Sequence, residues 1–233
     1  MFRLARIGYQ LAKLIPQQCM LCLRGCQQLP CTYCRDAIRQ FPHKAFKHNL
    51  MRWPKVASAL QLSEFECVHA IGEYEYPLTK LITDLKFNGK LACAEALSNC
   101  FCASLKERNQ PLPQLILPAP LHHKRYVKRQ FNQAVEIAVA VAERLKIRCD
   151  LAALNRHRYT LAQTELDRDQ RLSNVAGAFS CNKLTRDITH IAIFDDVITT
   201  GATMCAMRDA VLETNPHIKI EVWSISIALA SLD

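Results

Sequence analysis

The sequence predicts an α/β protein whose core is a parallel sheet, with a small zinc-binding module at its N-terminus. Residues 191–194 are four consecutive apolar residues, typical of a strand buried on both faces of such a sheet. At residues 115–119 another apolar strand precedes a polar loop and a helical pattern, which is the order of an α/β crossover. Two C-x-x-C pairs indicate the zinc module. A chain of 233 residues is long enough for one such domain and a small appendage.

Four cysteines near the N-terminus form two C-x-x-C pairs, which we expect to make a structural zinc site. Cys19 and Cys22 form the first pair, and Cys31 and Cys34 form the second. Each pair directs two thiolates at one point, so two pairs complete a tetrahedral site of four thiolates. The N-terminal residues lack the unbroken apolar segment of a secretory signal, which favours zinc over disulfides, and no βαβ pattern indicates a thioredoxin-type redox site. Cys26, in the spacer, is a competing ligand.

Positive charge is concentrated at the N-terminal end of the chain. The net charge is +9, and residues 1–52 contain nine Lys or Arg and one acid, Asp36, which leaves +1 for the other 181 residues. Such an uneven distribution favours a nucleic acid or another polyanion as partner, with a merely solubilising surface as the alternative. Residues 36–62 carry no strong period and are predicted to link the zinc module to the main domain.

No apolar run approaches the roughly 18 residues of a membrane span, so we predict a cytoplasmic protein without a transmembrane segment. Residues 1–16 form a basic amphipathic pattern. This pattern suits either packing on the protein's own domain or a membrane surface.

The middle of the chain alternates between strand and helix patterns. Weak alternation at residues 67–76 predicts a strand, followed by helices at 78–87 and 91–106, with Lys86 at the turn after the first helix. Residues 218–230 are apolar and rich in β-formers, and we expect them to end the sheet. The helix that follows the strand at 115–119 is predicted to bury one apolar stripe, made of Phe131, Val135, Ala138, Ala142 and Leu145.

Two polar segments contain candidate phosphate ligands. The loop after residues 115–119 is predicted to open at the carboxyl edge of the sheet, where Lys124, Arg125 and Arg129 are candidates for binding a pyrophosphate. Residues 156–179 are polar and have no clean period. They form either a mobile flap that carries Arg156 and Arg171 towards a ligand, or an exposed helix.

The stretch after residues 191–194 combines two carboxylates with a small, hydroxyl-rich loop. Asp195 and Asp196 stand where we expect the strand to end, and T-T-G-A-T follows at 199–203, ahead of a helical run at 204–212. Loop amides, threonine hydroxyls and the positive end of the helix dipole suit a phosphate. The carboxylates can accept hydrogen bonds from sugar hydroxyls. The stretch therefore predicts a ribose 5-phosphate site; the alternative is an ordinary strand, turn and helix in which the acids cap the helix.

Residues 191–203, I-A-I-F-D-D-V-I-T-T-G-A-T, resemble the phosphoribosyl pyrophosphate (PRPP) motif of the type I phosphoribosyltransferases. The resemblance implies a Rossmann-like phosphoribosyltransferase domain at 63–233, behind a basic zinc-binding region at 1–52. It implies that Asp195 and Asp196 bind the ribose hydroxyls and that Mg²⁺ binds together with PRPP. It also implies that five loop residues wrap the 5′-phosphate: Thr199, Thr200, Gly201, Ala202 and Thr203.

Further motifs resemble the ComF/GntX proteins in the same order. They are the cysteine pairs, L-I-T-D-L-K-F, L-P-A-P-L-H, K-R-Q-F-N-Q-A and F-D-D-V-I-T-T-G-A-T. ComF members are associated with natural transformation, in which single-stranded DNA enters the cytoplasm beside a helicase-like partner, and GntX members with gluconate utilisation. Two departures from the family pattern are Gln130, where the family often has glycine, and the lack of a second cysteine pair near Cys67.

Two functions from different classes fit these observations. One is a phosphoribosyltransferase that transfers ribose 5-phosphate from PRPP to a nitrogen nucleophile, although no general base and no base-binding segment stand out. The other, which we favour, is a competence factor that handles single-stranded DNA and retains a pocket for PRPP or a related phosphorylated ribose. In that case the basic zinc module is expected to bind the DNA backbone, with four aromatic residues available for stacking: Tyr33, Phe41, Phe46 and Trp53.

Overall fold

The structure is a computed structural model that describes residues 17–60, 62–122, 126–127, 129–158, 175 and 177–229. The amphipathic segment 1–16 and most of the polar segment 156–179 lie outside these ranges. Three of the predicted cations, Lys124, Arg125 and Arg171, also lie outside them.

The N-terminal module is a small hairpin followed by one helical turn. Strands β1 (Gln17–Gln18) and β2 (Gly25–Cys26) pair antiparallel, and α1 (Thr32–Asp36) follows. The turn between the strands is closed by two backbone hydrogen bonds, from the Cys19 N–H to the Arg24 carbonyl (2.8 Å) and from the Leu23 N–H to the Cys19 carbonyl (2.7 Å). Hairpin and helix together present the two cysteine pairs to each other.

The core of the protein is a five-stranded parallel sheet, as the apolar runs predict. Its strands are β3 (Cys67–Glu73), β4 (Leu115–Pro118), β5 (Arg148–Cys149), β8 (His190–Ile198) and β9 (Lys219–Ile227). Their order across the sheet is β3-β9-β8-β4-β5, and every pair is parallel. The strand with the acidic pair, β8, is therefore the central strand. The carboxyl ends of all the strands meet at one edge.

Helices connect the strands, and a small antiparallel ribbon is attached to them. The helices are α2 (Pro54–Ala59), α3 (Leu78–Asn88), α4 (Ala92–Ser104), α5 (Gln133–Leu145) and α6 (Ala202–Thr214). The ribbon consists of β6 (Leu154–Arg156) and β7 (Phe179–Cys181). The ribbon holds the two ends of the polar segment 156–179 side by side, so Arg156 belongs to a strand.

Strand β8 is longer than the sequence predicts. It does not end before the acids but continues through them to Ile198, and Asp195 is paired in register with Ser224 of β9. The ladder continues because β9 provides a partner along this whole length, a long-range contact that the local pattern does not show. The acids are consequently held by strand backbone and not by a loop.

The predicted apolar stripe on α5 is displaced from the face that packs inward. Asn132 caps the helix, its side chain accepting from the Ala134 N–H (3.0 Å), so Phe131 precedes the helix. The buried residues of α5 are Gln133, Ala134, Ile137, Ala138, Val141 and Ala142, whereas Val135 and Leu145 are half-buried. The helical spacing of the predicted stripe was correct, but the stripe was centred on the wrong residues. The helix packs against both α4 and the sheet, so its apolar face is broad.

The segment 36–62 is not a loose linker. Its two short 3₁₀ turns, His43–Phe46 and Leu50–Arg52, lead into α2, and Leu50 and Val56 are fully buried in the same core as the sheet. Two of its histidines, His43 and His48, are buried near His69 of β3, with His43 stacked on His69 at 4.3 Å between ring centroids. Apolar residues without a clean period are sufficient to bury a segment that has little regular structure.

The amino edge of the sheet contains a buried ion-pair network. The Arg108 guanidinium pairs with the Glu221 carboxylate, and their side chains are only 2% and 3% exposed. Glu221 also accepts from Trp223 Nε1 (2.8 Å), and its other oxygen lies 3.0 Å from His190 Nε2. Burial alone would raise the pKa of Glu221, but the hydrogen bonds from His190 and Arg108 outweigh it and lower that pKa.

Candidate functional site

The two acids of β8 are adjacent in sequence but occupy different environments. Successive side chains of a strand point to opposite faces. Asp195 is partly exposed and lines a small pocket in front of helix α6, whereas Asp196 is 3% exposed and faces α5 and the end of α3. The pocket is formed by Asp195, Val197, Ile198, Thr199, Gly201, Ala202, Thr203 and Met204. The pocket therefore contains only the first of the two predicted ribose ligands.

Asp196 is held by two side chains that are not among the predicted site residues. The Lys86 ammonium lies 2.5 Å from Asp196 Oδ2, and Gln133 Nε2 donates to Asp196 Oδ1 at 3.4 Å. Lys86 belongs to the last turn of α3 and not to the turn after it. Both residues lie in motifs that carry the family resemblance, L-I-T-D-L-K-F and K-R-Q-F-N-Q-A. These motifs are the signal by which the sequence could have indicated the two residues.

The position of Lys86 shows that α3 crosses the carboxyl edge of the sheet. Helix α3 starts after β3, and β3 lies two positions from β8 in the sheet. With about 4.8 Å between neighbouring strands, the helix has to span roughly 10 Å to bring Lys86 to Asp196. The last turn of α3 therefore forms one wall of the site.

The two carboxyl groups differ in pKa. Burial, followed by the charge of Asp196, raises the pKa of Asp195 from 3.8 to about 7. Burial would also raise the pKa of Asp196, but the Lys86 ammonium outweighs it, so that pKa is lowered. Near neutral pH, Asp196 is the carboxylate paired with Lys86, and Asp195 is a carboxyl group that titrates at the pocket.

The small-residue loop is shaped by Gly201, the N-cap of α6. Its φ of +89° lies in the left-handed region that favours glycine, and a β-carbon there would be 2.8 Å from Leu62 Cδ2. Thr200 Oγ1 accepts weakly from the Ala202 N–H (3.4 Å). The loop thus lies against Leu62 and directs the N-terminus of a 13-residue helix at the pocket that Asp195 lines.

Two of the five predicted phosphate-binding cations can be placed. The guanidinium of Arg129 lies 5.4 Å from the centroid of the Phe87 ring and donates to Gln133 Oε1 at 3.1 Å, so it is one side chain away from Asp196. Arg156, on the ribbon, lies over the ring of Phe179 at 5.2 Å. Arg129 is therefore placed close to the acidic pair by an observed chain of contacts.

The four predicted zinc ligands converge. The Sγ atoms of Cys19, Cys22, Cys31 and Cys34 all lie within 4.8 Å of one another, which is a cluster that can hold a metal ion. Cys26, the competing ligand, is not in this group. Burial and hydrogen bonds with the other thiols raise the pKa of Cys34, so the four thiols need a cation to ionise together. Zn²⁺ fits this donor set, because it takes four thiolates in a tetrahedral site.

Of the four aromatic residues predicted to stack on DNA bases, only Tyr33 is well exposed, at 72%. Phe41 is buried in the core, and Phe46 and Trp53 stack on each other at 5.3 Å. The expectation was wrong for Phe41, because the segment 36–62 packs on the sheet.

None of the helices in the described ranges is long and apolar enough to cross a membrane.

The five-stranded parallel sheet has an acidic pair in its central strand and a small-residue loop before the next helix, and an N-terminal cysteine cluster precedes it. The chain is 31% identical over 159 residues to DNA utilization protein YhgH of Escherichia coli O6:H1. This alignment covers 66% of this chain and 69% of the relative. The chain belongs to this family. It is also 26% identical over 207 residues to competence protein F of Haemophilus influenzae, with 85% of this chain and 90% of the relative covered.

Two further comparisons complete these findings. Adenine phosphoribosyltransferase from Leishmania donovani aligns with 70% of this chain and 86% of its own, at 12% identity and a TM-score of 0.37. A scan against models of protein families found no match.

Proposed function

We propose that this chain is a competence factor that takes part in the use of incoming single-stranded DNA and that its pocket binds PRPP or a related phosphorylated ribose. The names of two relatives, a DNA utilization protein and a competence protein, support the DNA role. Within this role, residues 1–52 act as the basic zinc-binding part and residues 63–233 as the ligand-binding part, beside a helicase-like partner in the cytoplasm.

One observation carries the ligand proposal. Asp195 and four of the five residues of the T-T-G-A-T loop, all but Thr200, line one pocket at the N-terminus of α6, so a carboxylate for ribose hydroxyls and amides for a phosphate lie together. Asp196 positions the site by fixing Lys86 and Gln133. Arg129, beside them, is the described cation that we assign to the pyrophosphate.

Mg²⁺ fits the same site, because the oxygens of Asp195 and of the loop threonines are hard ligands of the kind it prefers. When bound, Mg²⁺ neutralises charge on a pyrophosphate group. The residues of the chain orient the ribose through Asp195 and the 5′-phosphate through the backbone of residues 199–203.

Titration calorimetry with PRPP and Mg²⁺ tests the pocket directly. We expect saturable binding by the wild type and at least a tenfold loss of affinity in Asp195→Asn, because a charged acceptor becomes a neutral amide. Asp209→Asn is the matched control, since Asp209 is an exposed acid of helix α6, whose N-terminus faces the pocket, and is not part of the pocket itself. No binding by the wild type, or full affinity in Asp195→Asn, would show that the pocket is wrongly assigned.

The biological role is tested by DNA uptake in the organism that carries the gene. A strain with Asp195→Asn is expected to transform less efficiently than one with Asp209→Asn when both proteins are present at equal amounts. Normal transformation in a strain that lacks the protein altogether would refute the competence role.

A further inference from the structure

Exposed aromatic side chains gather at the carboxyl edge of the sheet. In the parts of the chain that the structure describes, five aromatic residues are well exposed: Tyr33, Tyr74, Tyr76, Phe87 and Tyr126. Tyr74 and Tyr76 directly follow β3, Phe87 is in the last turn of α3, and Tyr126 follows β4. Only Tyr33 belongs to the zinc module. We call the other four the aromatic rim.

Phe87 of the aromatic rim is connected to the acidic pair by observed contacts. Phe87 is 70% exposed, follows Lys86 in the chain and lies under the guanidinium of Arg129. Arg129 donates to Gln133, which donates to Asp196. Tyr74 lies near Lys86. The rim and the Asp195 pocket therefore border the same edge of the sheet.

The surface charge along α3 is positive, whereas Glu75, between Tyr74 and Tyr76, is an exposed acid on the rim. Lys80 and Lys90 both pair with Asp84, at 2.7 and 3.0 Å, but this carboxylate is 3% exposed while the two lysines are about half exposed. Asp196 is likewise buried under Lys86. The acids are covered by their partners, so the side of this network that faces solvent is cationic.

Exposed rings interleaved with cations are the chemistry of a surface for single-stranded nucleic acid. Bases stack on aromatic side chains whatever their sequence, and the cations follow the phosphates. An aliphatic protein partner would not stack on the Arg129–Phe87 pair. A duplex would not offer unpaired base faces.

We infer that single-stranded DNA lies along this edge, with bases stacked on Phe87, Tyr76 and Tyr126 and its backbone beside Lys80 and Lys90. The inference rests on the proposed DNA role and moves the contact with the bases from the zinc module to the edge of the sheet. The inference places the DNA strand next to the pocket that Asp195 lines.

Fluorescence anisotropy with a labelled oligo-dT of about 20 nucleotides and the full chain tests the inference. Stacking contributes about 1–3 kcal/mol per base, so Phe87→Ala and Tyr76→Ala should each weaken binding by roughly 5- to 150-fold. Phe87→Trp should keep most of the affinity. Leu151→Ala removes an exposed aliphatic side chain on the segment between β5 and β6, and should leave the affinity unchanged.

Salt dependence separates stacking from charge. Phe87→Ala should leave the slope of log Kd against log salt concentration unchanged, whereas Lys90→Ala should reduce it by about 0.7, the value for one phosphate of a single strand. A changed slope in Phe87→Ala would mean that the ring acts only through Arg129, which overturns stacking.

Two further outcomes overturn the inference and leave the proposed function standing. If Tyr33→Ala abolishes binding and Phe87→Ala does not, the bases stack on the zinc module. If free adenine at millimolar concentration displaces the oligonucleotide, the rim is a site for a single nucleobase.

If the wild type does not bind the oligonucleotide at all while calorimetry still detects PRPP, the DNA role itself fails.

Discussion

Asp195 shows at the scale of one residue how the site opposes the stability of the fold. Its pKa of about 7 is well above the 3.8 of an ordinary aspartate, because burial and the neighbouring Asp196 disfavour its charge. Between about pH 4 and pH 7 the folded protein therefore binds a proton that the unfolded chain releases. This group makes the free energy of unfolding fall as the pH rises through that interval and leaves it level above pH 7.

Asp195→Asn removes this titration. We expect the variant to be more stable than the wild type at pH 8, on the order of 1–3 kcal/mol, and to lose the advantage at pH 4. Urea denaturation at the two pH values measures the difference, with Asp209→Asn as an exposed control that should be neutral at both. A variant that is less stable at pH 8 would show that the Asp195 carboxylate stabilises the fold. Together with the expected loss of PRPP affinity, a gain would identify Asp195 as a residue kept for function.

Gln130 occupies a backbone conformation that suits glycine. Its φ is +65°, in the loop that leads to Asn132 and α5, and its Nε2 donates to the Val127 carbonyl at 2.7 Å. Glycine, the residue that the family often has here, would remove the cost of the left-handed conformation. The departure from the family pattern at Gln130 therefore concerns local backbone strain.

Gln130→Gly is expected to raise the free energy of unfolding by up to about 1 kcal/mol, measured as a higher urea midpoint. Gln130→Ala is the matched control, because it also loses the hydrogen bond but keeps a β-carbon in the left-handed conformation. Equal stability of the two variants would argue against backbone strain at this position.

At the scale of elements, the zinc module offers an internal control for its own metal site. Four cysteines converge within 4.8 Å, and Cys26, on β2 of the same hairpin, is not among them. We expect about one equivalent of zinc in purified protein, complete loss in Cys31→Ala and full retention in Cys26→Ala. Elemental analysis decides this, and zinc loss in Cys26→Ala would place that thiol in the site.

Loss of zinc is also expected to affect α4, outside the zinc module. Asn99 of α4 donates to the Leu29 carbonyl at 2.7 Å, and Leu29 is buried in the main core. Hydrogen exchange after chelation should therefore increase in residues 17–38 and extend to α4. Protection of α4 that remains unchanged would mean that the contact persists without the metal.

Elements that depend on local pattern were predictable, and their relations in space were not. The apolar runs identified β4, β8 and β9 and the helix after the T-T-G-A-T loop, because buried parallel strands are continuous apolar segments. The path of α3 across the sheet edge was not predictable, since Lys86 and Asp196 are separated by 110 residues and meet only through tertiary packing. For the same reason the sequence indicated Asp195 and Asp196 but not their separate environments.

At the scale of the whole molecule, the amino and carboxyl edges of the sheet have different tasks. The carboxyl edge carries the candidate site, and the amino edge carries the buried Arg108–Glu221 pair. Glu221 is third in β9, and Arg108 comes from the connection between α4 and β4. This ion pair connects two parts of the chain that are far apart in sequence, at the amino edge of the sheet.

Arg108→Met should destabilise the protein by about 3–5 kcal/mol, because it leaves the Glu221 carboxylate buried without its strongest partner. Adding Glu221→Gln should recover part of the loss. Lys44→Ala serves as control, since it breaks the exposed Lys44–Glu107 pair (2.9 Å) and should cost less than about 1 kcal/mol. Urea denaturation at pH 7 measures all three, and equal effects of Arg108→Met and Lys44→Ala would refute a special role for the buried pair.

The strand order β3-β9-β8-β4-β5 has a consequence for how the protein is made. The last strand in sequence, β9, lies between the first strand of the sheet and the strand that carries the acids. During synthesis, β3 has no partner strand until residues 219–227 have left the ribosome. The nascent chain therefore displays the unpaired edge of β3 for most of its translation, a state open to wrong pairing with other chains. The pocket and the aromatic rim, which border these same strands, can form only as one of the final events of folding.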